Sequence, residues 1–270
     1  MSERVPGKIL LITSILIMPV LLLLYLFSLT YQEKLAEKIC YQDEKITITS
    51  AGIIEKRGLH AVIPPNHRLL PYNPDYHGFI TKVEYPVIHY PANRKIEKKI
   101  NKKLQHLFKA DKTTLQESFT SGLACHNRIT FYAERIDEIL AILADESYYT
   151  CGAAHSSTGF SIYHFHLATG EEIHPEEMII QNEGFKNLVN HIIAQDPFYG
   201  FTSDAECHFA DEIGGFMISP DGLNIFFAAY TGPAPGGGWL AFTIDYEKLK
   251  PFIKQGTILA YIAEKKSKGK

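Results

Sequence analysis

The chain lacks the short signatures that assign chemistry at a glance. It has no C-x-x-C pair, no H-E-x-x-H spacing and no G-x-S-x-G elbow, and Gly236-Gly-Gly238 is not followed by the Lys-Ser/Thr of a phosphate-binding loop. Zinc-site, serine-hydrolase and P-loop chemistry therefore have no motif to rest on, and neither a cofactor nor a metal is expected. A strong basic excess is also missing. The formal net charge is −3 and the pI is near 6.5, too mild for the electrostatic footprint of a nucleic-acid-binding domain. No internal repeat or extended low-complexity stretch occurs, and Trp239 is the sole tryptophan.

What is present suits a folded protein. With 46% hydrophobic residues in a length of 270, the chain can build a core in one large domain or two small ones. Its charges are unevenly spread. Arg94–Lys112 is strongly basic, whereas Glu171–Glu212 is crowded with carboxylates against Lys186 alone. Solvated faces account for both. The sharper reading makes the acidic segment the receiver of a basic partner.

The longest apolar run, Ile9–Gln32, carries no charge and is bounded by Lys8 and Glu33. At about 1.5 Å rise per residue it spans a hydrocarbon core of about 30 Å, and lipid tolerates Pro19 better than water does. Arg4 and Lys8 precede the run, while Glu33, Lys34, Glu37 and Lys38 nearly cancel after it. Residues 1–8 are therefore expected in the cytoplasm, residues 9–32 as a single-pass anchor in the cytoplasmic (inner) membrane, and the remainder on the periplasmic or extracellular side. A cleaved signal peptide is the competing expectation, with Ser28-Leu-Thr30 as a poor cleavage site. Export makes Cys40, Cys125, Cys151 and Cys207 candidates for two disulfides. Cys125 with Cys151 is the favoured pair, since both stand at the ends of neighbouring strand-like segments, and such a bridge stabilises by about 3 to 4 kcal/mol.

Along the exported part, Tyr31–Ile39 reads as continuing the anchor helix and Lys45–Ser50 as a short strand. Leu59–Tyr76 is turn-rich through Pro64, Pro65, Pro71 and Pro74. Phe79–His89 resumes strand character, with Pro86 arguing for a sheet edge. From Ala92 the period becomes helical, with Ile96, Ile100, Leu104 and Leu107 on a face that should lie across a sheet and lysines on the other. Ile129–Ala133, Ile136–Ala144 and Ser161–Leu167 read as successive antiparallel strands and Glu183–Ala194 as a helix. Phe216–Ser219 and Leu223–Tyr230 make a hairpin turned by Pro220-Asp-Gly222. Leu240–Ile244 follows as a strand, Tyr246–Ile253 as a short helix, Thr257–Ala263 as a last strand and Lys265–Lys270 as a solvated basic tail. The fold class expected is α+β, an antiparallel sheet with packed helices, preceded by one transmembrane helix.

The stretch from Tyr148 to Ile173 organises the rest. Gly152 frees the backbone for a bulge or tight turn. Beyond it Ile162, His164 and His166 alternate with Tyr163, Phe165 and Leu167, and Ala168-Thr-Gly170 turns the chain back. His155, His164, His166 and His174 are close in sequence, so a metal site can be drawn from them; a strand histidine flanked by Tyr and Phe is more often a hydrogen-bonded sheet residue.

Tyr149-Thr-Cys-Gly-Ala-Ala-His155, Leu167-Ala-Thr-Gly170 and Phe216-Met-Ile-Ser-Pro-Asp-Gly-Leu223, on through Tyr230 to Leu249, resemble the RsiV-like domain. That extracytoplasmic domain occurs in lysozyme-sensing anti-sigma factors and beside the catalytic domain of a peptidoglycan deacetylase. The resemblance covers Glu134–Ile262, and Tyr85–Ser118 is similar to the smaller region that accompanies it. It implies an α+β binding module with no catalysis of its own, in two parts at 33–120 and 121–264, with the basic tail at 265–270. Only Met1–Lys8 precede the apolar run, so no sigma factor is expected as a partner. Gly232-Pro-Ala-Pro-Gly236 stands where the family's loop runs through Ala-Pro-Tyr, which leaves Trp239 as the aromatic next to that loop.

The function expected is recognition of a cell-wall component or of a basic protein such as lysozyme. Tyr149, His155, Tyr230, Pro235 and Trp239 would carry it, on loops 151–159 and 231–239 gathered at one sheet edge. The alternatives are a cell-envelope hydrolase using His155 and nearby carboxylates, and a structural envelope protein with no ligand.

Overall fold

A run such as Ile139–Ala144, apolar at every position, has no solvent face to offer, so as a strand it must be covered on both sides. The computed structural model, which describes residues 30–34, 38–58, 78–120, 124–150, 155–195, 209–233 and 238–268, places it accordingly. Strand β6 (Ile139–Thr150) lies between β5 (Ala124–Ile136) and β7 (Ser157–His166), antiparallel to both. Ile139, Ala141 and Leu143 enter one core, and Leu140, Ile142 and Ala144 enter the other. The sheet continues through β8 (Glu172–Ile173) on one side and through β4 (Gly78–His89), β3 (Thr47–Gly58) and β1 (Thr30–Lys34) on the other. Strand β2 (Lys38–Gln42) also pairs with β3. Every pairing is antiparallel except β4 with β5, which run parallel over Ile80–Val83 and are joined by helix α1 (Arg94–Thr120) as their crossover. The sheet thus draws strands from both sides of residue 120.

Helix α1 covers one face. Asn93 caps it, accepting from the Ile96 N–H at 3.2 Å. Ile96, Ile100, Leu104 and Phe108 repeat every fourth residue and are buried, each contributing about 1.5–3 kcal/mol through burial. Leu107, expected on that stripe, is only half-buried beside it. The lysine face has partners of its own. Lys99 pairs with Glu171, and Lys103 with Glu172 at 2.9 Å, so the basic and acidic segments of the sequence neutralise each other in part at the turn between β7 and β8.

The opposite face carries a three-stranded sheet of β9 (Gly215–Ile218), β10 (Gly222–Phe227) and β11 (Leu240–Asp245), in the order β11-β10-β9. Around it pack α2 (Glu183–Ala194), α3 (Tyr246–Leu249) and α4 (Ile258–Lys268). Asn182 caps α2 through the Phe185 N–H at 3.0 Å, and Phe185, Val189 and Ile193 are its buried stripe. The hairpin turn is closed by the Ser219 N–H donating to the Gly222 carbonyl at 2.9 Å. Gly222 lies against the carbonyl of Ile244, leaving no space for a side chain.

Several expectations are corrected. Tyr31–Ile39 does not continue a helix; its described residues lie in β1 and β2, with Tyr31 opposite Lys56 and Ile39 opposite Thr49. The last residues of the expected anchor, Thr30–Gln32, therefore belong to the sheet, while residues 9–29 lie outside the described residues, as does the turn-rich segment Leu59–Tyr76. Among the described residues no helix is long and apolar enough to cross a membrane. Thr257–Ala263 opens a helix rather than a strand, because Leu259, Ala260, Ile262 and Ala263 bury at helical spacing and the Thr257 hydroxyl accepts from the Ala260 N–H. Lys265, assigned to a free tail, sits on that helix and pairs with Asp137. Pro86 lies on an inner strand, yet at a point where the pairing with β5 has already ended, so its missing N–H costs no sheet bond.

Candidate binding site

His155 stands just before β7 and Tyr230 just after β10, and the structure brings these distant residues together. The Tyr230 hydroxyl lies 3.0 Å from His155 Nε2, with the rings 6.3 Å apart and inclined by 37°. His155 Nδ1 lies 3.0 Å from the carbonyl of Ser156. A carbonyl only accepts, so Nδ1 carries the proton of the neutral ring, Nε2 is the acceptor and Tyr230 is the donor. No described carboxylate hydrogen-bonds to His155.

Tyr230 is held in place by its backbone. Its φ of 64° is the left-handed conformation that a tyrosine adopts only under constraint. The constraint comes from the turn that brackets it: the Thr231 N–H and hydroxyl both donate to the Ala228 carbonyl, at 3.1 and 2.8 Å. Gly232, also at positive φ, gives its N–H to the Glu212 carboxylate and packs against Phe227 where no side chain would fit. The outcome is a tyrosine that remains 67% exposed.

Trp239 has a different setting. Its Nε1–H donates to Asp145 Oδ1 at 2.8 Å, and its half-buried ring meets Phe226 at 5.4 Å and Phe160 at 6.3 Å. Phe160 and Phe226 are themselves 5.2 Å apart. Trp239 is thus built into an aromatic cluster that fixes the strand following loop 231–239. Asp145 and Phe226 carry no sequence signal for this role, since Asp145 is 94 positions away from Trp239. Tyr149 lies on β6 one residue beyond the last β6–β7 pair, Tyr148 with Ser157. Pro235, Cys151 and Cys207 lie outside the described residues, as does the side chain of Cys125. Cys40 is an exposed free thiol.

His164 and His166 share a strand face, as the alternation implies, but differ in setting. His164 is buried, its Nε2 accepting from the Ile218 N–H at 3.1 Å, so it fastens the large sheet to the small one. Burial first, then the neighbouring His174, pushes its pKa down to about 3. His166 accepts from the Ala168 N–H through Nδ1 at 3.1 Å and shapes the turn. Among the described residues no group of three or more His, Cys, Asp and Glu side chains is arranged to hold a metal ion.

No family model matches the chain, and no curated protein matches it in sequence. A DUF3298-family protein of Bacteroides fragilis, solved by crystallography, superposes with a TM-score of 0.53 at 13% identity, over 83% of this chain and 99% of its own. The fold is that of DUF3298 proteins. A DUF3298-family protein of Pseudomonas aeruginosa superposes with a TM-score of 0.50 at 12% identity, over 76% of this chain and 94% of its own. At these identities the likeness concerns the DUF3298 fold alone, and DUF3298 denotes a domain of unknown function.

Proposed function

We propose that the chain is a membrane-anchored extracytoplasmic recognition module that binds a cell-wall component or a basic protein such as lysozyme. The observation that carries this reading is the Tyr230–His155 pair: two loops brought together, a strained backbone and a tyrosine left 67% exposed. Fixing an aromatic ring in solvent costs conformational energy and gives the fold itself little burial in return, whereas a preorganised aromatic is what a partner's pocket takes up. The RsiV-like resemblance supplies the two ligand classes, and the uncharged run preceding Thr30 supplies the anchor. An envelope hydrolase is less well supported, because His155 is engaged with a phenol and a backbone carbonyl rather than with a carboxylate that would orient it as a base.

Binding of the full-length, detergent-solubilised protein to lysozyme and to purified peptidoglycan tests the reading. Affinity for one of them, weakened about tenfold or more in Tyr230→Ala (about 1.4 kcal/mol or more), is expected. Absence of affinity for both, or equal affinity in the variant, overturns it.

A further inference from the structure

Strand β7 is covered along only part of its outer edge. Strand β8 reaches its last residues alone, Ile173 opposite His164 and Glu172 opposite Phe165. Pro175, which has no N–H to give, then turns the chain into the short 3-10 helix Pro175–Met178. The His166 N–H donates to the Glu171 carbonyl at 2.8 Å, so the residues at even spacing before it, His164, Ile162 and Phe160, present their peptide groups to the same side. Beside Ile162 and Phe160 no described strand occupies that side. A cleft of about 450 Å³ does, walled by Phe160, Ile162 and His164 on one flank and by Pro175, Gln181 and Phe216 among those on the other.

Two further features bear on what fits there. His164, 1% exposed, lines the cleft. Because its Nε2 accepts from Ile218, its proton is on Nδ1, and that buried donor has no partner among the described residues. The cleft is also one-sided in charge. Among the described residues no lysine or arginine lines it, but Glu172 and Glu176 do. Glu172 lies opposite Phe165 and is held by Lys103 on the α1 face, so the carboxylate turned to the cleft is that of the exposed Glu176, with His174 at 3.5 Å.

We propose that this cleft is a slot for an extended basic segment of a partner protein, which adds to the free edge of β7 in line with β8. The peptide groups of that segment pair with those of Ile162 and Phe160, one of its carbonyls takes the Nδ1–H of His164, and a lysine or arginine side chain reaches Glu176. The slot is a separate surface from the Tyr230 loop and does not rest on that site's reading.

The test uses the full-length protein and a fluorescent Lys-Val-Lys-Val-Lys peptide, read by polarisation. Comparison peptides are its two forms N-methylated at the valines or at the lysines, and Glu-Val-Glu-Val-Glu. The lysine peptide should bind and should slow hydrogen exchange of Ser157–His166. The acidic peptide and one of the N-methylated forms should bind at least tenfold more weakly, as should the lysine peptide to Glu176→Lys, an exposed substitution whose fold is checked by circular dichroism. Tyr230→Ala should leave the affinity unchanged. No binding of the lysine peptide, full binding of both N-methylated forms, indifference to Glu176→Lys, or loss in Tyr230→Ala would each overturn the slot. If chitotriose, which has no peptide groups, slows exchange of β7 and the peptide does not, the cleft is a glycan site and the proposal falls.

Discussion

Asn101 stands in for a missing strand beside Ile88. Its Oδ1 accepts from the Ile88 N–H and its Nδ2 donates to the Ile88 carbonyl, both at 2.8 Å. Alternate residues of a strand present their peptide groups to the same side, so Pro86 turns its ring nitrogen the same way, past the end of the β4–β5 pairing. One amide from α1 thus satisfies the buried peptide unit that has lost its neighbour, and the proline has no donor to satisfy.

Asn101→Leu keeps the bulk but leaves both groups of Ile88 unpaired. At about 1–3 kcal/mol for each buried unsatisfied group, urea unfolding should show a loss of about 2–5 kcal/mol. Asn101→Asp, which retains the acceptor, should lose less. Equal midpoints for wild type and the leucine variant would show that the amide has no role in stability.

Gly222→Ala should be among the most damaging single substitutions in the small sheet. Its methyl group would overlap the Ile244 carbonyl oxygen, a backbone atom that cannot rotate away. Overpacking of this kind costs about 3 kcal/mol or more. A thermal midpoint within a degree or two of the wild type would contradict it.

Acid should weaken the protein in two windows. The pKa of His164 is about 3 in the fold against 6.5 for a free histidine, so the unfolded chain binds the extra proton and stability falls as pH drops from 6.5 towards 3. Asp43 behaves in the usual carboxylate sense. Burial opposes its charge, but the N–H groups of Ile46 and Lys45 and the guanidinium of Arg135 prevail and hold it at about 2. Its contribution is full above 3.8 and is lost below that. His164→Gln, which can still accept from Ile218, should flatten the stability profile between pH 6.5 and 4 while leaving the lower window intact. Parallel profiles for variant and wild type would refute the assignment.

If the chain is exported as proposed, Cys40 is accessible from outside the cell, being an exposed free thiol. A membrane-impermeant maleimide should label intact cells, with the signal reduced in Cys40→Ser. Labelling of Cys40 only after permeabilisation would place the domain on the other side of the membrane.

The long-period features of the fold were legible in the sequence. The apolar stripe of α1, the continuous run of β6 and the capped helix beginning at Glu183 each follow from spacing alone, because each pattern has one way to bury itself. Thr257–Ala263 was misread because a short apolar run fits either period, and burial of Leu259 with Ile262 decides it only once the rest of that core is in place. Loop residues Tyr230 and His155 could be singled out by type and position, but their pairing could not, nor could the bonds from Trp239 to Asp145 and from Asn101 to Ile88. Such contacts link residues whose proximity is created by the finished topology, so no local pattern encodes them.

The two-faced central sheet also sets an order of assembly. Among the described residues, those buried in the core under α1 lie between Ile46 and Leu167, whereas the other core draws on Ile136 through Ala263. A chain emerging amino end first can therefore complete one half while the rest is still being made. The late hairpin and last helix then settle on a wall that already stands, so a pause near Leu167 would leave only that wall's second face waiting for cover.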